Sequence, residues 1–331
     1  MLSSTVNKNK IKPRKFDRLL EKCSGCNVIK STRRVIFVGS DSPDPLKFKA
    51  DHFGGMGSGI LIKMNGAFFV LTAKHVITNQ FGTGFKLGDE LPNVSPFWVP
   101  MRNKTGDLTQ LESYLFPKKI WDISELIQKE VDGVDTTDIC LLEMCPPHSN
   151  AIPDNFIEIE TIKDVQTEEN FYPGKFHILA GFPFSGNGFE YETNKPGFTH
   201  ESTMQRAQYF GQQMIEEGCI THQDLKKPIT HNEVTGISGG AVTDVQFKAN
   251  AVKLCGMIVS SSGGTTRYIP SYVFIDALLN YQNANSYIVD PMAVDIWEIN
   301  DNPELLKKIM TIYQGHHSTR PMEHITIPDE V

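Results

Sequence analysis

No stretch of the sequence approaches the ~20 consecutive apolar residues of a membrane-crossing helix, so no membrane span is expected. The first fifteen residues are rich in Lys and Asn and lack the apolar core of a secretory signal, which points to a cytoplasmic protein. Cys23-Ser-Gly-Cys26 has metal-ligand or redox spacing. No second Cys-x-x-Cys follows it, however, and no nearby His pair completes a zinc set. The six cysteines, Cys23, Cys26, Cys140, Cys145, Cys219 and Cys255, are therefore expected as reduced, partly buried thiols, and no metal or cofactor is implied. Internal repeats and low-complexity tracts are also missing.

Acidic residues are scarce at one end only. Residues 1–34 hold ten Lys/Arg against Asp17 and Glu21, about +8, which leaves about −15 for the rest of a chain whose formal charge is −7. Such an arm can meet nucleic acid, anionic lipid or an acidic partner. Phe16 is its single aromatic residue, so the stacking of single-strand binders is missing and a nucleic-acid partner is disfavoured. The expectation is a solvated basic arm over residues 1–33.

What is present is ordinary globular composition: 331 residues, 40% hydrophobic and 21% charged, with 26 Gly and 19 Pro. The length suits one large domain or two fused halves. Arg34–Gly39 is a β-branched run closed by glycine, a first strand. Ser58–Met64 and Ala67–Ala73 are apolar runs joined by Asn65-Gly66, which reads as a hairpin with a type I′ turn because both turn positions need positive φ. Further strands are expected at Pro96–Met101, Asp138–Met144, Phe156–Thr161, Phe176–Gly181, Thr203–Gly211, Gly240–Val245 and Val252–Ser260, with a short helix at Ile123–Val131. Helical patterns follow at residues 271–282 and 303–313, and residues 283–331 form a helical extension and tail. Many short strands followed by helices favour a mainly β barrel or sandwich over any βαβ architecture.

Three segments carry chemistry. His75 follows the apolar strand Leu71-Thr72-Ala73. Asp138 opens the run Ile139-Cys140-Leu141-Leu142. Ser238 sits inside Gly236-Ile237-Ser238-Gly239-Gly240-Ala241. A serine hydroxyl needs an adjacent base, an imidazole titrates near neutrality, and a carboxylate can hold the imidazole in the useful tautomer. Asp132 and Asp135 lie close enough to compete with Asp138 for that task. Glycines around Ser238 let the N–H groups of Gly236 and Ser238 face one point, where an oxyanion would be stabilised. The order His, Asp, Ser along the chain is that of chymotrypsin and not of subtilisins or α/β-hydrolases.

On these residues the chain resembles the trypsin-like (chymotrypsin-fold) serine peptidases, closest to bacterial Deg/HtrA-like and trypsin-2 branches without a PDZ domain. Gly57-Ser58-Gly59-Ile60-Leu61, Leu179-Ala180-Gly181-Phe182-Pro183 and Leu254–Val259 with Ile269-Pro270-Ser271 add softer matches, and the likeness covers roughly residues 34–282. The resemblance implies two six-stranded Greek-key barrels, about 34–150 and 151–270, a C-terminal helix over 271–282, and a triad of His75, Asp138 and Ser238 in the cleft between them. It implies a polypeptide substrate paired to Val259, Ser260 and Ser261, with Asn232 at the base of the primary pocket.

Two departures matter. Ile237 stands where cleavage-activated relatives carry an Asp, so no new-N-terminus switch is expected, and restraint falls to a regulatory partner, an oligomer or a misformed oxyanion hole. Asn232 replaces the Asp of Lys/Arg-specific enzymes, and a small or medium uncharged residue is expected before the scissile bond. The competing expectation is a catalytically silent relative that binds peptides.

Overall fold

The computed structural model describes residues 18, 21–39, 52–79, 86–88, 97–103, 106–107, 113–147, 152–191, 200–202, 204–222, 229–245, 252–262 and 264–288. The helix expected at 303–313 lies outside them. Within them the chain is mainly β. The first half forms strands β1 (Thr32–Gly39), β2 (His52–Met64), β3 (Ala67–Thr72), β4 (Phe97–Pro100), β5 (Gly106–Asp107), β6 (Tyr114–Leu115), β7 (Pro117–Trp121), β8 (Cys140–Met144) and β9 (Ile157–Glu158). The second half forms β10 (Phe176–Gly181), β11 (Phe189–Tyr191), β12 (His200–Ser202), β13 (Ala207–Gln213), β14 (Cys219–His222), β15 (Ala241–Asp244), β16 (Leu254–Ser261), β17 (Thr265–Pro270) and β18 (Ser286–Ile288). The helices are short: α1 (Asn27–Lys30), α2 (Lys74–Thr78), α3 (His231–Val234) and α4 (Ser271–Leu279). Among the described residues none is long and apolar enough to cross a membrane.

The β2–β3 hairpin turns at Asn65 and Gly66, whose φ values are 49° and 80°, as a type I′ turn requires. Its two strands form the middle of a sheet in the order β18-β7-β8-β3-β2-β1-β4-β6, with β9 added in parallel to β2. This sheet curls into a half-barrel, and the described residues show no closure into the barrel expected over 34–150. It also draws strands from outside that range. Ile157 pairs with Ile62, and Tyr287 pairs with Ile120. The segment expected to begin a helical extension at 283 thus supplies a strand instead, covering an edge of β7 that would otherwise expose unpaired backbone groups.

The second half meets expectation more closely. Strands β10-β13-β14-β17-β16-β15 close into a six-stranded antiparallel barrel, filled by Leu179, Ile220, Val242, Ile258 and Tyr268. Helix α4 buries Val273, Phe274, Ala277 and Leu278, the apolar stripe read from the sequence. The helix expected at Ile123–Val131 is only a 3₁₀ turn, Ile123–Leu126. Asp122, the residue placed to cap it, gives its carboxylate to Lys74 and Ser124 instead, leaving the helix start without a side-chain acceptor.

The boundary at residue 34 also moves. Val28, Ile29, Arg33 and Arg34 are buried, so the chain from Asn27 onward is part of the fold and not a solvated arm. The two arginines are tolerated because their guanidinium groups reach backbone carbonyls. Arg33 donates to Lys30 at 2.6 Å and Asn155 at 3.1 Å, and Arg34 to Asn187 at 2.7 Å. Residues 1–17 lie outside the described residues.

A buried polar group occupies the barrel wall. The Asp244 carboxylate accepts from Lys175 (2.7 Å), Gln166 (2.8 Å) and the Cys255 thiol (3.0 Å), and His177 Nδ1 stands 3.3 Å from it. His177, Asp244 and Cys255 have metal-ligand spacing, but the Lys175 ammonium already supplies the cation. Burial holds His177 neutral, pulling it down from 6.5 to about 4; Lys175 adds to this and Asp244 opposes it. The unfolded chain therefore takes a proton that the folded chain refuses. Stability is expected to fall as pH drops from 6.5 towards 4, by up to about 3 kcal/mol. Urea unfolding at pH 7, 6 and 5 should show His177→Phe with a shallower slope than wild type; equal slopes would sink this reading.

Candidate active site

His75 is positioned by a strand that ends and a helix that begins at once. β3 runs apolar and buried to Thr72, Ala73 breaks from the sheet, and α2 starts at Lys74 with Val76 and Ile77 buried beneath it. That leaves His75 in the first turn, side chain 37% exposed, facing away from the core. The neighbouring Lys74 is drawn aside by Asp122 and Ser124, at 2.9 and 2.8 Å.

Asp138 holds His75 at two points. Its Oδ2 lies 2.6 Å from the ring Nδ1 and its Oδ1 accepts the His75 backbone N–H at 2.9 Å, while its own side chain is only 12% exposed. A carboxylate so placed fixes the imidazole with the proton on Nδ1 and leaves Nε2 as the basic nitrogen. The competition among neighbouring acids is decided by the turn itself. Asp135 accepts from the Thr137 N–H and hydroxyl, at 2.9 and 2.6 Å, and Asp132 is exposed. Cys140, two residues on, is no rival nucleophile, because burial first, with the Asp122 and Asp138 anions, pushes its thiol far up.

Ser238 lies on the turn between α3 and β15. Gly236 and Gly239 adopt φ of +100° and +81°, the left-handed region that side chains avoid. Among the described residues the backbone N–H groups of Gly236 and Ser238 meet no acceptor, whereas Ile237 N–H bonds Val234 at 3.2 Å and Gly240 N–H bonds Ile237 at 2.9 Å. Two adjacent open donors on a glycine turn are suited to an anion such as a carbonyl oxygen that has gained charge. The Ser238 hydroxyl donates to the Val259 carbonyl at 2.9 Å, not to His75.

The two halves meet at Ser58, which in the sequence is only one member of the glycine-rich run Gly57-Ser58-Gly59. Ser58 N–H donates to the Ser238 carbonyl (2.7 Å), its hydroxyl donates to the Gly236 carbonyl (3.1 Å) and accepts from Phe182 N–H (2.8 Å), and its carbonyl accepts from Thr72 (2.7 Å). One fully buried residue thus ties the Ser238 turn to the strand leading to His75. The signal is the single hydroxyl among the glycine and apolar residues of Phe53–Ile62 in β2. No known family model matches the chain, and no curated protein matches it.

The proposed substrate-contact residues divide. Val259, Ser260 and Ser261 run along β16 beside Ser238, with a bulge between Ile258 and Ser260 that turns the Val259 carbonyl to the hydroxyl. Asn232 does not fit its expected place. It is exposed on α3, whereas a pocket floor needs an enclosed side chain. Glu233 is spent on a capping box, accepting from Thr230 N–H and hydroxyl at 2.8 and 2.9 Å.

Proposed function

We propose that the chain is a serine endopeptidase, with the curled sheet and the closed barrel as the two halves of a chymotrypsin-like double barrel. Ser238 attacks the carbonyl of a polypeptide, His75 takes its proton, Asp138 steadies the resulting imidazolium, and the N–H groups of Gly236 and Ser238 receive the oxyanion. The amine leaves with the proton from His75, and water then releases the acyl group by the same route. The observation that carries this reading is the two-point hold of Asp138 on His75. An imidazole kept only for packing needs no carboxylate on both its ring and its backbone.

The Ser238–Val259 hydrogen bond favours a resting state. A substrate strand laid along Val259–Ser261 competes for that carbonyl and frees the hydroxyl for His75. Restraint would then come from this latch, or from a regulatory partner or oligomer acting on it. The same bond favours a second reading, a silent peptide binder in which the hydroxyl never turns. Incubation with unfolded casein separates them. The enzyme cuts it over many turnovers and Ser238→Ala does not; a folded wild type that retains peptide on a column yet leaves casein whole favours the binder.

A further inference from the structure

A peptide unit is planar and trans, so its N–H points opposite to its C=O, and whatever holds the carbonyl aims the donor. The two open donors beside Ser238 are aimed in this way. The Gly236 N–H shares its peptide with the Thr235 carbonyl, which accepts from the Phe184 N–H at 2.8 Å. The Ser238 N–H shares its peptide with the Ile237 carbonyl, which accepts from the Gly240 N–H at 2.9 Å. The peptide between them is held at both ends. Its Ile237 N–H donates to Val234 at 3.2 Å, and its Gly236 carbonyl accepts from the Ser58 hydroxyl at 3.1 Å.

Ser58 reaches both segments that carry these bonds. Its hydroxyl accepts from the Phe182 N–H at 2.8 Å, two residues before Phe184, while donating to Gly236. Its own N–H donates to the Ser238 carbonyl at 2.7 Å, so the residue grips the turn on either side of Ile237. Ser58 is wholly buried, and the gap left by its oxygen alone is too small to admit a water. Without that oxygen the Gly236 carbonyl and the Phe182 N–H lose their common partner, and the strand that holds Thr235 is no longer tied to the turn.

We infer, on the serine-peptidase reading of Ser238, that Ser58 is a positioning residue whose hydroxyl fixes the oxyanion donors Gly236 and Ser238 before substrate arrives. It touches neither substrate nor nucleophile and acts through the two segments it joins. Donors fixed in advance stabilise a developing charge without reorganising as it forms. A misformed oxyanion hole is then not what restrains the chain, and restraint falls to the hydrogen bond of the Ser238 hydroxyl to Val259. A hydroxyl kept only for packing would, when removed, lower stability and leave the reaction of each folded molecule unchanged.

The test uses the full chain, a peptide spanning a site that it cuts in casein, and the aldehyde and alcohol of the same sequence ending at that site. With the aldehyde, Ser238 Oγ bonds to the carbon, the C=O π pair moves onto oxygen opposite the two N–H groups, and His75 takes the hydroxyl proton. The alcohol binds without forming that oxyanion. Ser58→Ala should lower kcat and aldehyde affinity alike, by roughly 10–100-fold. KM and alcohol affinity should stay within about threefold. Ser58→Cys, which keeps a weaker donor and acceptor, should fall between wild type and Ser58→Ala, and it serves if Ser58→Ala fails to fold. An unchanged kcat in the folded variant, or equal losses for aldehyde and alcohol, overturns the positioning role alone. Folded wild type that leaves casein whole overturns the peptidase reading, and the positioning role with it.

Discussion

Asp138→Asn is expected to lower kcat by about 10⁴-fold while leaving the fold intact. The present carboxylate accepts both from the His75 backbone N–H and from ring Nδ1. An Asn side chain has one oxygen and one NH₂. With the oxygen kept on the backbone N–H, the NH₂ faces Nδ1 and forces the ring proton onto Nε2. That nitrogen can then no longer accept the Ser238 proton. Volume and hydrogen-bond count barely change, so a purely structural pair would show little loss. Steady-state kinetics on a peptide substrate, beside unchanged circular dichroism, check this; activity within tenfold of wild type would remove Asp138 from the chemistry.

Gly239→Ala should cost more than about 3 kcal/mol of stability, among the larger effects open to a single substitution. Gly239 has φ +81°, and a Cβ there would lie 1.9 Å from the Ser58 carbonyl oxygen and 2.4 Å from Thr72 Oγ1. Neither atom can retreat, since the two are hydrogen-bonded to each other and Ser58 is held by Phe182 and Ser238. Gly66→Ala is the control. Gly66 has a similar φ of +80° but nothing within 4 Å of its Cβ, so it bears only the left-handed strain of about 1–2 kcal/mol. Thermal unfolding of the pair separates conformational strain from steric overlap. Equal losses would mean that the Ser238 turn is not clamped as described.

The residues legible in the sequence are those where local chemistry and final structure agree. Asn65-Gly66 turns the hairpin wherever it is placed, and Phe176–Gly181 is apolar enough to be a barrel strand without help. His75 and Asp138, 63 residues apart, were drawn together only by the order of the motifs, and they lie 2.6 Å apart. Long-range pairing decided the rest. Strands β14 and β17 hold Thr221, His222, Thr265, Thr266 and Arg267, polar residues that no apolar run marks as strand, and they are absent from the strands expected above. β18 exists because β7 had an edge to cover. Arg33 reads as the end of a solvated arm because no sequence rule announces the carbonyls that accept from it. Ser58 was hidden by its size: its importance lies in what it joins.

The most direct measurement is covalent labelling of the intact, folded chain with a fluorophosphonate, followed by peptide mapping. One adduct per chain is expected, on Ser238, lost in Ser238→Ala and strongly slowed in His75→Ala, because only an oxygen relieved of its proton attacks phosphorus quickly. Folded protein that takes no label, or that is labelled at another residue, would contradict it.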